Sequence, residues 1–445
     1  MNKKLFIVLF LSLIARIAYL FTVKDLWWDA AVYLSMSKYF LSAGHLGLWE
    51  PIRPLLWPFL LSYAYLLHIP ATLWGEILST LFSLGCIYLT YKIAEKLFDK
   101  KVAFLSSFLL SFTWIFFFFN ARLYTEIPAV FFALAAYYYF LKDKPLETGI
   151  CAALAFLTKF PEGLIIIIFA LFWIKSFKKL FFLSVGFIAL LIPYLTFNYF
   201  AYGSPIATLF FAQEFLKYAG IWIFKQPWYY YPLEIIKQNF LYLFAIPGFY
   251  IAWRKRRYEL ALIILASLLY FSSMAHKEIR FAILFLPFLA ILAALGYRQL
   301  FKDKIIFIII ILIIGVVHLQ FDAGASNSYF TYFEGKNISG EILAANPLTA
   351  YYAEKEITMM YYPWFNASQG EYWLMYIKEK QPDYVSLDTC EGGFICPLDE
   401  NACEEKRLQI ISYLDINYTK VFENGWSKCQ YFIYKSEASN TLTSS

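Results

Sequence analysis

Residues 260–295 read LALIILASLLYFSSMA-HKEIRF-AILFLPFLAILAAL, two long apolar runs joined by His276, Lys277, Glu278 and Arg280. Each run approaches the length that a hydrocarbon core of about 30 Å requires of a helix. A charged side chain costs several kcal/mol at membrane depth, so four polar groups in five residues mark a span boundary with a task. What that task is depends on which side of the membrane the cluster faces.

Composition agrees with a membrane chain. Of 445 residues 61% are hydrophobic and 22% aromatic, only 16% are charged, and mean hydropathy is +0.56. Soluble domains carry about a quarter charged residues, so a polytopic α-helical membrane protein is expected. The net charge of +6 is no nucleic-acid signature, because the Lys and Arg sit in short clusters at the ends of apolar runs.

Eleven spans are expected, near 4–23, 70–92, 102–119, 126–141, 146–159, 161–174, 180–200, 238–253, 258–275, 281–297 and 304–318. The first lacks a small-residue cleavage site and reads as a span rather than a signal peptide. With the N-terminus cytoplasmic, short inner loops collect 18 Lys and Arg, including Arg254-Lys255-Arg256-Arg257, against 10 spread over longer outer segments. This parity satisfies the positive-inside rule and predicts a multi-pass plasma-membrane protein. Leu55–Leu67, about 13 residues with Pro58 inside, reads as a re-entrant or interfacial helix within one long external loop, 24–69.

Beyond residue 318 the pattern changes. Residues 319–445 are expected to form a small extracytoplasmic α/β domain, with strands at Asp383–Asp388 and Gln430–Tyr434 and helices near 369–380 and 402–414. Cys390, Cys396, Cys403 and Cys429 in this tail fit disulfides of an oxidising compartment, and Cys86 and Cys151 read as apolar fillers. Sequons at Asn337, Asn366 and Asn417 point the same way.

On the outer face, Asp29 lies in Trp27-Trp28-Asp29-Ala30, an apolar setting that raises a carboxylate toward the range of a general base. It is also well placed to cap the following helix. Glu126, in Asn120-Ala-Arg122-Leu-Tyr124-Thr125-Glu126-Ile-Pro128, either caps its helix or joins Asp29 at one site, and Arg122 either pairs with Glu126 or meets a ligand. Arg53, Lys159, His276, Lys277 and Arg280 add cations to the same face. Clustered Arg, Lys and His at a headgroup boundary suit a lipid phosphate.

These segments resemble the GT-C superfamily of integral-membrane glycosyltransferases, which draw sugars from polyprenyl- or dolichyl-phosphate donors. Asp29 in Trp-Trp-Asp-Ala-Ala-Val-Tyr-Leu is similar to the acidic motif of the first external loop, and Tyr124-Thr-Glu126-Ile-Pro to the second acidic loop. His276-Lys-Glu-Ile-Arg-Phe281 matches the His-Lys-Glu-x-Arg-Phe element of mannosyltransferases in the dolichol-linked oligosaccharide and GPI-anchor pathways. Many relatives carry Asp-Glu at the first motif, whereas Ala30 follows Asp29 here. The segment Arg53-Pro54-Leu-Leu-Trp-Pro58 looks closer to the protein-mannosyltransferase and lipid A aminoarabinose-transferase branch. The resemblance covers residues 1–318 as the catalytic domain and implies a GT-C fold.

The implied function is inverting transfer of a mannose-like hexose or related sugar from a polyprenyl-phosphate donor to a hydroxyl of a lipid- or protein-linked glycan acceptor. Asp29 is the expected base and Glu126 its acidic partner. His276, Lys277, Arg280, Lys159 and Arg53 would hold the donor phosphate, supported by Glu278 and Arg122. No cofactor is expected, although Asp29 and Glu126 could between them hold a divalent ion. The alternative class is a transporter or flippase of lipid-linked sugars, which would place its ionisable groups at the membrane midplane.

Overall fold

The computed structural model describes residues 3–23, 25–219, 224–274, 276–301, 304–319, 328–338, 340–360, 369–388, 401–426 and 429–437. A helix falls on each expected span: Lys3–Leu20, Ala71–Leu97, Lys100–Phe112 with Trp114–Phe119, Glu126–Leu141, Pro145–Thr158, Leu164–Phe172, Phe177–Tyr202, Ala245–Arg254, Tyr258–Ser273, Leu286–Leu300 and Lys304–Val317. Among the described residues, Ala71–Leu97 and Phe177–Tyr202 are by themselves long and apolar enough to cross a membrane. Tyr230–Gln238 and Phe240–Arg254 form a pair bent by 119°, and the other apolar helices are shorter.

The short pieces have local causes. The segment 102–119 divides at Thr113, whose backbone is extended and whose hydroxyl donates to the Leu109 carbonyl at 2.7 Å and meets the Tyr242 hydroxyl at 2.8 Å. A 3-10 turn at Phe160–Gly163, started by Pro161, separates Pro145–Thr158 from Leu164–Phe172. Leu55–Leu67 holds the helix Leu56–Leu66, which packs beside Trp28–Leu41. Helices Ala207–Ala219 and Tyr230–Gln238 were not foreseen from the sequence.

Glycines set two of the helix pairings. A Cβ at Gly149 would fall 2.2 Å from the Leu183 carbonyl oxygen, and one at Gly186 would fall 2.3 Å from that of Leu146. Gly248 and Gly296 meet in the same way across Ala245–Arg254 and Leu286–Leu300, at 1.9 Å from the Leu292 oxygen and 2.0 Å from that of Phe244. Small residues let backbones approach this closely in a membrane bundle. Gly248→Leu is therefore expected to force these helices apart, at a cost of about 1–3 kcal/mol or more. A fall in the thermal midpoint of the detergent-solubilised protein checks it. Leu269→Ala is the control, because that side chain is 72% exposed and its loss should leave the midpoint unchanged.

Charged side chains gather at two ends of the helices. At one end Arg298 pairs with Asp99, Lys255 lies 5.5 Å from the Phe98 ring, and Lys179 pairs with Asp143 at 2.6 Å. The opposite end carries Asp29, Arg53, Glu126, Lys159 and Arg280.

The C-terminal residues form a five-stranded sheet of β1 (Ile342–Ala344), β2 (Ile357–Met359), β3 (Tyr384–Asp388), β4 (Tyr418–Trp426) and β5 (Cys429–Ser436), in the order β2-β1-β3-β5-β4. β1 runs parallel to β2 and β3, and β5 runs antiparallel to β3 and β4. One face packs on Gln369–Lys380 and Asn401–Asn417 through Trp373, Ile377, Ile410 and Leu414. The other face shares an apolar cluster with Val32, Met36, Leu48 and Ile52 of the segment that carries Asp29. Gly47 extends this union: its N–H donates to the Lys355 carbonyl at 3.0 Å, and its own carbonyl accepts from Ile357 at 2.8 Å. Cys390, Cys396 and Asn366, with the side chains of Cys403 and Cys429, fall outside the described residues, while Asn337 and Asn417 are exposed.

Candidate active site

Asp29 occupies the first turn of Trp28–Leu41, with Trp27 at the cap position. Its Oδ1 meets Arg53 Nη2 at 2.9 Å, and Oδ2 accepts from Arg280 Nη1. Glu126 opens Glu126–Leu141 and is fully buried. Its Oε1 takes Lys159 Nζ at 2.6 Å and lies 3.7 Å from Arg280 Nε. Lys159 follows Pro145–Thr158 in an extended conformation, just before the 3-10 turn. Separate segments thus deliver two carboxylates and three cations to one place, with Arg280 between both acids.

The segment 276–280 explains which of its groups join. Lys225 and His276 form an antiparallel bridge, the Lys277 N–H donates to the Phe224 carbonyl at 2.9 Å, and Glu278 is extended. Extended backbone alternates its side chains. His276 and Glu278 therefore share a side, and Glu278 Oε1 meets His276 Nε2 at 2.7 Å; Arg280, in the 3-10 turn Ile279–Leu284 that follows, donates from Nη2 to the same oxygen. Lys277 points the other way and donates to the Met274 carbonyl. Arg122 stacks on Trp27 and Phe118, at 4.4 and 4.3 Å from the ring centroids, while Lys159 takes the place at Glu126.

Burial alone would raise the Asp29 carboxyl, but Arg53 and Arg280 outweigh it and hold the group well below the usual carboxylate range. This reverses the direction expected from the flanking tryptophans. Glu278 is likewise lowered, burial being overcome by Arg280 and His276. Glu126 Oε2, Arg280 Nε and His276 Nδ1 are buried without a hydrogen-bond partner among the described residues. Unmatched buried polar atoms cost about 1–3 kcal/mol each, so these three atoms are chemically able to meet an incoming polar group.

Three contributors were missed in the sequence. Glu50, buried, binds Arg53 Nε. Tyr33 lies under the Arg53 guanidinium at 5.5 Å, and Tyr124 under that of Arg280 at 4.8 Å. The spacing Glu50-x-x-Arg53 inside an otherwise apolar stretch was the available signal for the first. Among the described residues no group of three or more His, Cys, Asp or Glu side chains is placed to hold a metal.

Solved structures of known glycosyltransferases share this architecture. ArnT from Cupriavidus metallidurans, solved with undecaprenyl phosphate, superposes with a TM-score of 0.59 at 13% identity, over 84% of this chain and 72% of that one. The archaeal oligosaccharyltransferase AglB from Archaeoglobus fulgidus, solved with an inhibitory peptide and a dolichol-phosphate, gives 0.58 at 14% identity, over 86% and 69%. Arabinofuranosyltransferase AftD from Mycobacteria gives 0.60 at 11% identity, covering 98% of this chain and 40% of that one. An uncharacterized protein of Aquifex aeolicus (strain VF5) is 31% identical over 183 residues, which is 38% of this chain and 42% of that relative, less than half its length. The sequence profile of the Alg9-like mannosyltransferase family matches residues 4–340, and the chain belongs to that family of multi-pass GT-C membrane glycosyltransferases.

Proposed function

We propose that the chain transfers a hexose or related sugar from a polyprenyl-phosphate donor to an acceptor hydroxyl on the extracytoplasmic face, with inversion. The observation that carries this reading is the meeting of Asp29 and Glu126 at Arg280, flanked by Arg53 and Lys159. Asp29 takes the proton of the acceptor hydroxyl as its oxygen bonds to the anomeric carbon. The bond from that carbon to the phosphate oxygen breaks, and the lipid phosphate leaves with the electron pair, its charge met by Arg280, Lys159 and His276. Glu126 orients the acceptor. The lipid phosphates bound by ArnT and AglB support a donor of this class.

Because the free site holds Asp29 on two guanidinium groups, a donor phosphate that draws Arg280 to itself raises the proton affinity of the base as the donor binds. A divalent ion on Asp29 and Glu126 would have to displace Arg280 from both, so the reading calls on no cofactor. The sheet packs against the segment that bears Asp29, which supports placing residues 319–445 on the same, extracytoplasmic side of about eleven spans, with the N-terminus in the cytoplasm of a plasma-membrane protein.

The test uses purified protein in lipid vesicles with sugar-labelled polyprenyl-phosphate hexose, or the same sugar on a nucleotide, and membrane glycolipid extract as acceptor. Label should move from the lipid phosphate alone, and movement only from the nucleotide would overturn the proposal. The pH dependence follows from the Asp29 environment. A base works deprotonated, so kcat/KM falls only where acid protonates Asp29, below the value of about 3.9 of an ordinary aspartate. Arg53→Ala removes a cation, leaves burial less opposed and is expected to move that acid limb upward by about 1–3 pH units.

A further inference from the structure

Glu50 is 1% exposed and belongs to none of the groups that reach Asp29 directly. Its Oε2 accepts from Arg53 Nε, while the neighbouring nitrogen on the same edge of the guanidinium, Nη2, meets Asp29 at 2.9 Å. A guanidinium is a rigid plane of five donors, so fixing its Nε edge fixes the direction of the other nitrogens. The loop that bears Glu50 is itself held on three sides. Gly47 is bridged to the sheet at Lys355 and Ile357, Leu48 is fully buried, and the Trp49 indole donates to the Tyr202 hydroxyl at 2.6 Å. Gly47 has φ +80, and a Cβ there would fall 2.2 Å from the Ser35 carbonyl oxygen, so the chain can follow this path only with glycine.

We propose that Glu50 is a positioning residue for glycosyl transfer, holding Arg53 edge-on so that one nitrogen, and not the whole fork, engages Asp29. Released from Glu50, the fork is free to take both Asp29 oxygens, and bidentate pairing would block the oxygen that receives the acceptor proton. This rests on the reading of Asp29 as base.

The experiment measures kcat, donor KM and thermal midpoint for Glu50→Gln, Glu50→Asp, Arg53→Ala and the double variants Glu50→Gln/Arg53→Ala and Glu50→Asp/Arg53→Ala, with a polyprenyl-phosphate hexose as donor. Glu50→Gln is expected to lower kcat by about 10- to 100-fold with donor KM within about 3-fold, since small misplacements act on the transition state. On the Arg53→Ala background the same change should cost less than about 2-fold, because its effect runs through the missing arginine. Should Glu50→Gln not fold, Glu50→Asp carries the same comparison, slowing the wild-type chain and leaving the Arg53→Ala chain unchanged. Equal losses on both backgrounds, or unchanged kcat in the single variants, would overturn the role. Undiminished transfer by Asp29→Asn would instead remove the parent reading, while the coupling of Glu50 to Arg53 would still be measured.

Discussion

Asp29→Asn is expected to lower glycosyl transfer by about 10²- to 10⁴-fold, the usual contribution of a positioned general base. The amide keeps the shape of the carboxylate and still offers an oxygen to Arg53 or Arg280, so the site should stay assembled while losing its proton acceptor. The charge balance changes in a second, opposite way. Arg280 bonds to Asp29 and Glu278 and lies beside Glu126. Removing one negative partner leaves it freer for an anion, so the inactive variant should bind a short-chain polyprenyl phosphate as tightly as wild type or more so. Single-turnover transfer and equilibrium binding, measured on the same preparation, check the two halves. Weaker phosphate binding by Asp29→Asn would contradict the placement of the phosphate on Arg280.

Arg280→Ala should be the more damaging change to the structure. It leaves Asp29, Glu126 and Glu278 without the cation they share, each keeping one other partner, so the cost should approach but not exceed the roughly 3–5 kcal/mol of breaking a buried ion pair. Donor KM should rise and kcat fall together, with a lower thermal midpoint. Arg280→Lys keeps the charge but replaces a planar fork with a point, which cannot address three carboxylates at once. It should recover stability in part and activity little. Transfer by Arg280→Ala with an unchanged donor KM would show that the phosphate is held elsewhere.

The helices of the bundle were legible because each apolar run announces itself, as were Gln369–Lys380, Asn401–Asn417, β3 and β5, whose patterns are long enough to show a period. β1 and β2, of three residues each, are too short to show one. The convergence of Asp29, Glu126 and Arg280 followed from reading the loops to one side. The individual pairings did not, because they depend on how the loops fold. Arg122 is nearest Glu126 in sequence, yet Trp27 and Phe118 receive it, and Lys159 arrives from another helix. The two tryptophans beside Asp29 suggested a raised carboxyl. The arginine that helps to reverse that direction lies 251 residues away. The alternation that separates Lys277 from His276 and Glu278 applies only once that stretch is known to be extended, and Arg280 joins them from the 3-10 turn that begins at Ile279.

The most direct measurement is the anomeric configuration of the product formed from a polyprenyl-phosphate sugar of known configuration. Single displacement at the anomeric carbon, with Asp29 as base, predicts that a β-linked donor gives an α-linked product. A product that keeps the donor's configuration would contradict it.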